Sequence, residues 1–163
     1  MLPHLDAAHN LARWLTGNQA DAQDVVQESY LRAFRFFEGY KGGDSKAWLL
    51  SIVRNTCRTW LRQQKRDMAS VPFDEIAHSG DRVAPDPEQS MAERQKIGLL
   101  LTCIEMLPPD FREVLILREL EEMSYQQIAA VTGVPIGTVM SRLSRARRRL
   151  EELAASRDME AAR

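Results

Sequence analysis

An all-α fold, arranged as two small helical domains joined by a flexible linker, follows from three features of this chain of 163 residues. Apolar residues recur at helical spacing along most of its length, and no stretch alternates as a strand would. The periodic stretches are interrupted between Asp67 and Pro85 by an acidic segment with proline, alanine and serine spacing, the composition of a linker. After the interruption, Ser124 to Leu150 reads as a short capped helix, a glycine turn and a longer helix, which is the pattern of a helix-turn-helix.

Taken in order, Leu2 to Leu15 is helical, with Leu5, Ala8, Leu11, Ala12 and Leu15 on one side. His4 and His9 are spaced too awkwardly to share a ligand on one helical face. Thr16-Gly17-Asn18 is a turn, and the next helix starts near Asp21. Its expected buried stripe is Val26, Tyr30, Ala33, Phe34 and Phe37. Asp24, Gln27, Glu28 and Arg35 fall off that stripe, as solvated residues or as a docking surface. Gly39 is expected to end this helix, before a polar loop from Lys41 to Ser45.

The third helix runs from Lys46 to Arg66. Leu49, Ile52, Val53, Thr56 and Trp60 line its core face, while Arg54, Arg58, Arg62 and Arg66 step by fours along another. Like charges at that spacing cost roughly a few tenths of a kcal/mol per pair, which a bound polyanion would relieve. Trp48, Trp60 and the glycine loop lie close to this stripe, and aromatic groups beside cations suit unstacked bases. Either tryptophan also suits a core. Residues 1–66 thus form the first domain and 67–85 the linker.

The second domain spans 86–153. Asp86-Pro87 signals a helix running to about Met106, Leu107-Pro108-Pro109-Asp110 breaks it, and FREVLILREL is a further amphipathic helix. Ser124 caps the first helix of the helix-turn-helix, with Gln127 at the capping-box position. Gly133 ends that helix, and Pro135 suits the first turn of the next. On the second helix Val139, Leu143, Ala146 and Leu150 are expected inside. Thr138, Ser141, Arg142, Arg145 and Arg149 are expected to stay in water. Thr138, Ser141 and Arg142 would then meet base edges in a major groove, and Arg145, Arg147, Arg148 and Arg149 would hold phosphates. Arginines late in a helix also suit its negative end, so the run alone does not establish nucleic-acid binding. The alanine-rich tail, 154–163, is expected to fray.

The net charge of −1 conceals segregation. Lys41, Lys46, Arg54, Arg58, Arg62, Lys65 and Arg66 lie in a stretch whose one acid is Asp44, and the acidic linker follows directly. Cys57 and Cys103 form no CxxC pair and read as reduced core thiols. Phosphate-loop, zinc-protease and nucleophile-elbow motifs are missing, so neither an enzyme nor a cofactor, metal or small-molecule substrate is expected. The chain lacks a membrane-spanning run and a basic-apolar leader, so a cytoplasmic location and no direct membrane insertion are expected.

Two stretches in sequence resemble parts of one family. DAQDVVQESYLRAFRFFEGYKGGDSKAWLLSIVRNTCRTWLR resembles region 2 of the extracytoplasmic-function (ECF) sigma factors of bacterial RNA polymerase, which belong to the sigma-70 family. LPPDFREVLILRELEEMSYQQIAAVTGVPIGTVMSRLSRARRRL resembles their region 4. The resemblance implies core RNA polymerase and promoter DNA as partners. It places Asp24, Gln27, Glu28 and Arg35 against the clamp of the largest subunit. It implies that Gly43, Asp44, Ser45, Lys46, Trp48, Arg54, Asn55, Arg58 and Arg62 capture and hold the melted −10 element. It gives Pro135, Gly137, Thr138, Ser141, Arg142, Arg145, Arg148 and Arg149 the −35 element, with the flap of the second-largest subunit gripping the same domain. An anti-sigma factor is implied as a further partner. The chain departs from the family pattern at its start, where few residues precede Leu5.

A rival from another class is a two-domain helix-turn-helix regulator acting as a dimer. It would need a dimer surface and an effector domain, where this chain instead offers a basic, tryptophan-flanked helix. A scaffold or adaptor would leave both basic elements without a purpose.

Overall fold

The computed structural model describes residues 4–69 and 87–162 as helices and short connections, with no strand among them. The expected linker lies almost wholly outside the described residues. α1 is Leu5–Thr16, α2 Gln19–Arg35, α3 Ser45–Ala69, α4 Met91–Glu105, α5 Pro109–Glu119, α6 Tyr125–Thr132 and α7 Ile136–Ala161.

In the first half, α1, α2 and α3 pack on one another. Ala8, Leu11, Ala12, Leu50, Val53 and Cys57 are fully buried there. Gly17, at φ 86°, ends α1, and the Asn18 side chain then accepts the Asp21 N–H to start α2 two residues before the expected Asp21. The buried face of α2 is Ala22, Val25, Val26, Ser29 and Ala33. This corrects the expected stripe: Phe34 is 71% exposed and Phe37 62%. Both sets have helical spacing, but the smaller side chains let α2 approach α1 and α3 closely, and the aromatic set is turned to the flank. Gly39 does not end α2, which stops at Arg35; it closes a single 3-10 turn, Phe37–Gly39. Asp44 starts α3 by accepting the Ala47 N–H, and α3 continues past Arg66 to Ala69, into the segment expected as linker.

In the second half, α4 begins at Met91 rather than Pro87, because Ser90 and Glu93 form a reciprocal capping box. α5 packs on α1, α6 and α7, and its run Glu113–Leu117 is buried. α7 stays helical through Ala161, so the tail does not fray where expected; alanine-rich sequence favours helix once a long helix precedes it.

The halves pack together along α1–α5 and α3–α6. Arg112 pins this junction: its guanidinium donates to the carbonyls of Ile104, Glu105 and Leu107 and, across the junction, of Trp14. Burial lowers its pKa, and the Glu105 charge opposes that.

Candidate nucleic-acid interface

The helix-turn-helix forms as its residues dictate. Ser124 and Gln127 complete a capping box on α6. Gly133 takes φ 73°, a left-handed conformation that a side chain would strain. Pro135 is the residue just before α7, with extended backbone, so α7 itself starts at Ile136. Ile128 and Val131 of α6 meet a core that includes Val139 and Leu143, and Ala146 is also buried.

The outer face of α7 is divided. Pro135, Gly137, Ser141, Arg145, Arg148 and Arg149 are exposed, and Thr138 is half-buried. Ser141 donates to the Thr138 carbonyl. Arg149 pairs with Glu152 at 3.2 Å and Arg147 with Glu119 at 3.0 Å. Those are exposed pairs that phosphates could displace at little cost. Arg145 and Arg148 have no carboxylate within pairing distance among the described residues. Arg142 corrects the expectation of a wet side chain. It turns toward Asp110, 3.9 Å away, and its Nη1 is buried without a hydrogen-bond partner among the described residues.

The α3 side departs further from expectation. Arg54 is 11% exposed at its side chain, and its Nε and Nη2 each donate to Glu113 at 3.0 Å. Arg58 donates to the same Glu113 at 3.0 Å and to Asp110 at 2.5 Å. Lys46 reaches Glu121 at 3.1 Å, and Asp44 accepts Gln127 Nε2 at 2.6 Å. The Ser45 hydroxyl lies 3.1 Å from His4 Nε2. The lower part of the basic stripe, Arg62 and Arg66, is exposed with Asn55, and Gly43 is exposed in the loop. Partial burial pulls the Arg58 pKa down, but Glu113 and Asp110 outweigh it and hold it up. Burial, and then the Glu113 charge, push the Cys57 thiol up to about 12. Cys57 and Cys103 are both buried free thiols.

Trp48 is half-buried rather than fully inside. It stands 4.9 Å from Tyr40 and 6.5 Å from Phe37, and the Tyr40 hydroxyl donates to the Gly43 carbonyl. Aromatic rings thus brace the loop that precedes α3. On α2, Asp24, Gln27, Glu28 and Arg35 are exposed, with Glu28 paired to Arg32. Gln27 lines an open groove of about 420 Å³ with Leu5, His9, Gln23, Val26, Tyr30, Leu31 and Phe34.

The residues that reading the chain missed are carboxylates, Asp110, Glu113 and Glu121. One signal was present: Glu113 stands in the apolar run of α5, where a buried charge demands a cation partner.

The family profile described as Sigma-70 region 2 matches residues 2–67, and that described as Sigma-70, region 4 matches residues 97–150. The ECF RNA polymerase sigma-E factor of Escherichia coli strain K12 is 36% identical over 138 residues, covering 80% of this chain and 72% of that protein. This chain belongs to the ECF sigma factors. The ECF RNA polymerase sigma factor SigE of Mycolicibacterium smegmatis is 35% identical over 162 residues, and the match spans 98% of this chain but 62% of the mycobacterial one. Among solved structures, the sigma factor RpoE of Bartonella quintana, in complex with the anti-sigma factor NepR, is similar with a TM-score of 0.74 at 31% identity. That match covers 91% of this sigma factor and 90% of the other. CnrH, in complex with the cytosolic domain of CnrY, gives 0.67 at 25% identity over 94% and 83% of the two chains.

Proposed function

We propose that this ECF sigma factor binds core RNA polymerase and directs initiation at its promoters, reading the −35 element as duplex and the −10 element as melted non-template strand. The observation that carries the reading is the outer face of α7, the second helix of the helix-turn-helix, where Arg145 and Arg148 have no carboxylate partner among the described residues and Ser141 is exposed in the first turns. Helix 7 would lie in the major groove with Pro135, Gly137, Thr138, Ser141 and Arg142 toward base edges, and Arg145, Arg148 and Arg149 on phosphates. The braced loop with Gly43, Asp44, Ser45, Lys46 and Trp48 would capture bases leaving the stack, each stacking contact worth roughly 1–3 kcal/mol. Arg54, Asn55, Arg58 and Arg62 would track the separated strand.

The α2 groove, with Asp24, Gln27, Glu28 and Arg35 around it, would meet the clamp of the largest subunit, and the second half would meet the flap. Core polymerase makes the second DNA contact effectively intramolecular, which is why neither module needs high affinity. A similar sigma factor, RpoE of Bartonella quintana, was solved with the anti-sigma factor NepR, which supports such a partner here. None of the described helices is long and apolar enough to cross a membrane, which fits action at cytoplasmic DNA.

In vitro transcription with core polymerase on candidate promoters tests the reading. The full chain should yield discrete starts, and R145A/R148A should lower them at every promoter and flatten the salt dependence. Transcription no better than that of core polymerase alone on any template would overturn it.

A further inference from the structure

We infer that Ile136 and Met140 form an apolar strip on α7 that reads the 5-methyl group of thymine, so that the −35 element this chain selects carries a thymine that Met140 covers. The inference deepens the function proposed above and rests on it, since it needs α7 to lie in the major groove.

Ile136 is 44% exposed and Met140 52%, both in the first turns of α7. They stand about one helical turn apart, so their side chains adjoin. Neither belongs to the packed core or to the half-buried residues lying against it. Single exposed apolar groups are ordinary on a protein surface. This pair is set apart by its neighbours. Gly137 and Ser141 run along the next strip of the helix, and Ser144 follows Met140 one turn on; all three are exposed. Arg145 and Arg148 lie beyond them, without a carboxylate partner among the described residues. Gly137 is helical, and a Cβ there would meet nothing within 4 Å. Packing among the described residues thus gives no reason for glycine, which a helix disfavours. Close approach of a body from outside supplies one.

A lane of small residues beside a long apolar side chain, rimmed by free guanidinium groups, matches a major groove. Phosphates take the cations, and the lane lets the helix backbone sink toward the base edges. There the thymine methyl is the apolar mark that distinguishes one base pair from another. Methionine, unbranched and polarisable, moulds itself to such a group. A protein partner would call for a broader apolar patch.

The test uses holoenzyme assembled from core polymerase and the full chain, which selects duplexes from a pool randomised over the −35 element. The parent should enrich thymine, and M140A should lose that preference at one position while keeping the rest. On the selected duplex, deoxyuridine in place of that thymidine removes the methyl alone. The exchange should weaken open-complex formation by the parent about threefold to fivefold, the worth of one buried methyl group, and leave M140A unchanged. M140R should move the preference at that position to guanine, whose O6 and N7 suit a guanidinium fork; misfolding cannot produce a gain of this kind. M159A, at another exposed methionine about five turns along α7, should select as the parent does.

Selection unchanged by M140A would overturn the methyl contact and leave promoter reading standing, as would an equal loss by parent and M140A on the uracil duplex. Unchanged selection with weaker capture of core polymerase by M140A would assign the strip to a protein, which also overturns the contact. If no form enriches any sequence, promoter reading itself fails, and this contact with it.

Discussion

At Asp110 three guanidinium groups converge on one carboxylate: Arg58 bonds it, and Arg142 and Arg54 add their charges. Partial burial raises its pKa, but these cations outweigh burial and hold the carboxyl below its ordinary value. A group held down in the folded state adds stability above its unfolded pKa, near 3.9, and loses it as pH falls through the lower folded value. Asp44 adds in the same direction, held down first by the Ala47 N–H and then by Gln127. Arg54 and Arg58 on α3 face Asp110 across this junction, while Glu113 on its own helix and Arg142 on α7 face it from within its half. Thermal unfolding followed from pH 7 downward should therefore show the junction weakening below about pH 4, with D110N flattening the dependence. A profile unchanged by D110N would count against the pairing. The arginines themselves were legible in the chain as a basic stripe, but their partners were not. Ion pairing depends on which helix faces which, and periodicity reports only that a side is polar.

Helix α2 carries two overlapping stripes, and burial chose between them. Ala22, Val25, Val26, Ser29 and Ala33 went inside, leaving Phe34 and Phe37 outside. Val26→Ala should then cost about 2 kcal/mol in urea unfolding, from lost apolar burial and an unfilled site. Phe34→Ala should stay within about 0.5 kcal/mol, yet weaken capture by core polymerase, because Phe34 lines the groove proposed to dock. Equal losses of stability would mean that the aromatic stripe is buried after all. Capping was far more legible than facing. The Ser124–Gln127 box and the Gly133 stop appear in the structure where the residues put them, because those interactions close within four positions of chain.

For the whole molecule, the two halves form one packed body across α1–α5 and α3–α6, rather than two modules free of each other. Promoter binding by the free chain should be weak because each module is small; the pairing of Arg54 and Arg58 with Glu113 adds a second reason for it. In a gel shift at moderate salt, the chain alone should give no discrete promoter complex, and adding core polymerase should produce one that weakens steeply with salt. Tight specific binding by the chain alone would contradict both reasons.

Residue order by itself determined the all-helical fold, the helix-turn-helix with its caps, and the two basic elements, because helical period, capping and glycine turns act over a few neighbouring residues. Tertiary structure alone decided which cations remain free. Arg54 and Glu113 lie 59 positions apart; they meet only because α3 and α5 are brought face to face, and desolvation in that junction turns two ordinary charges into an obligatory pair.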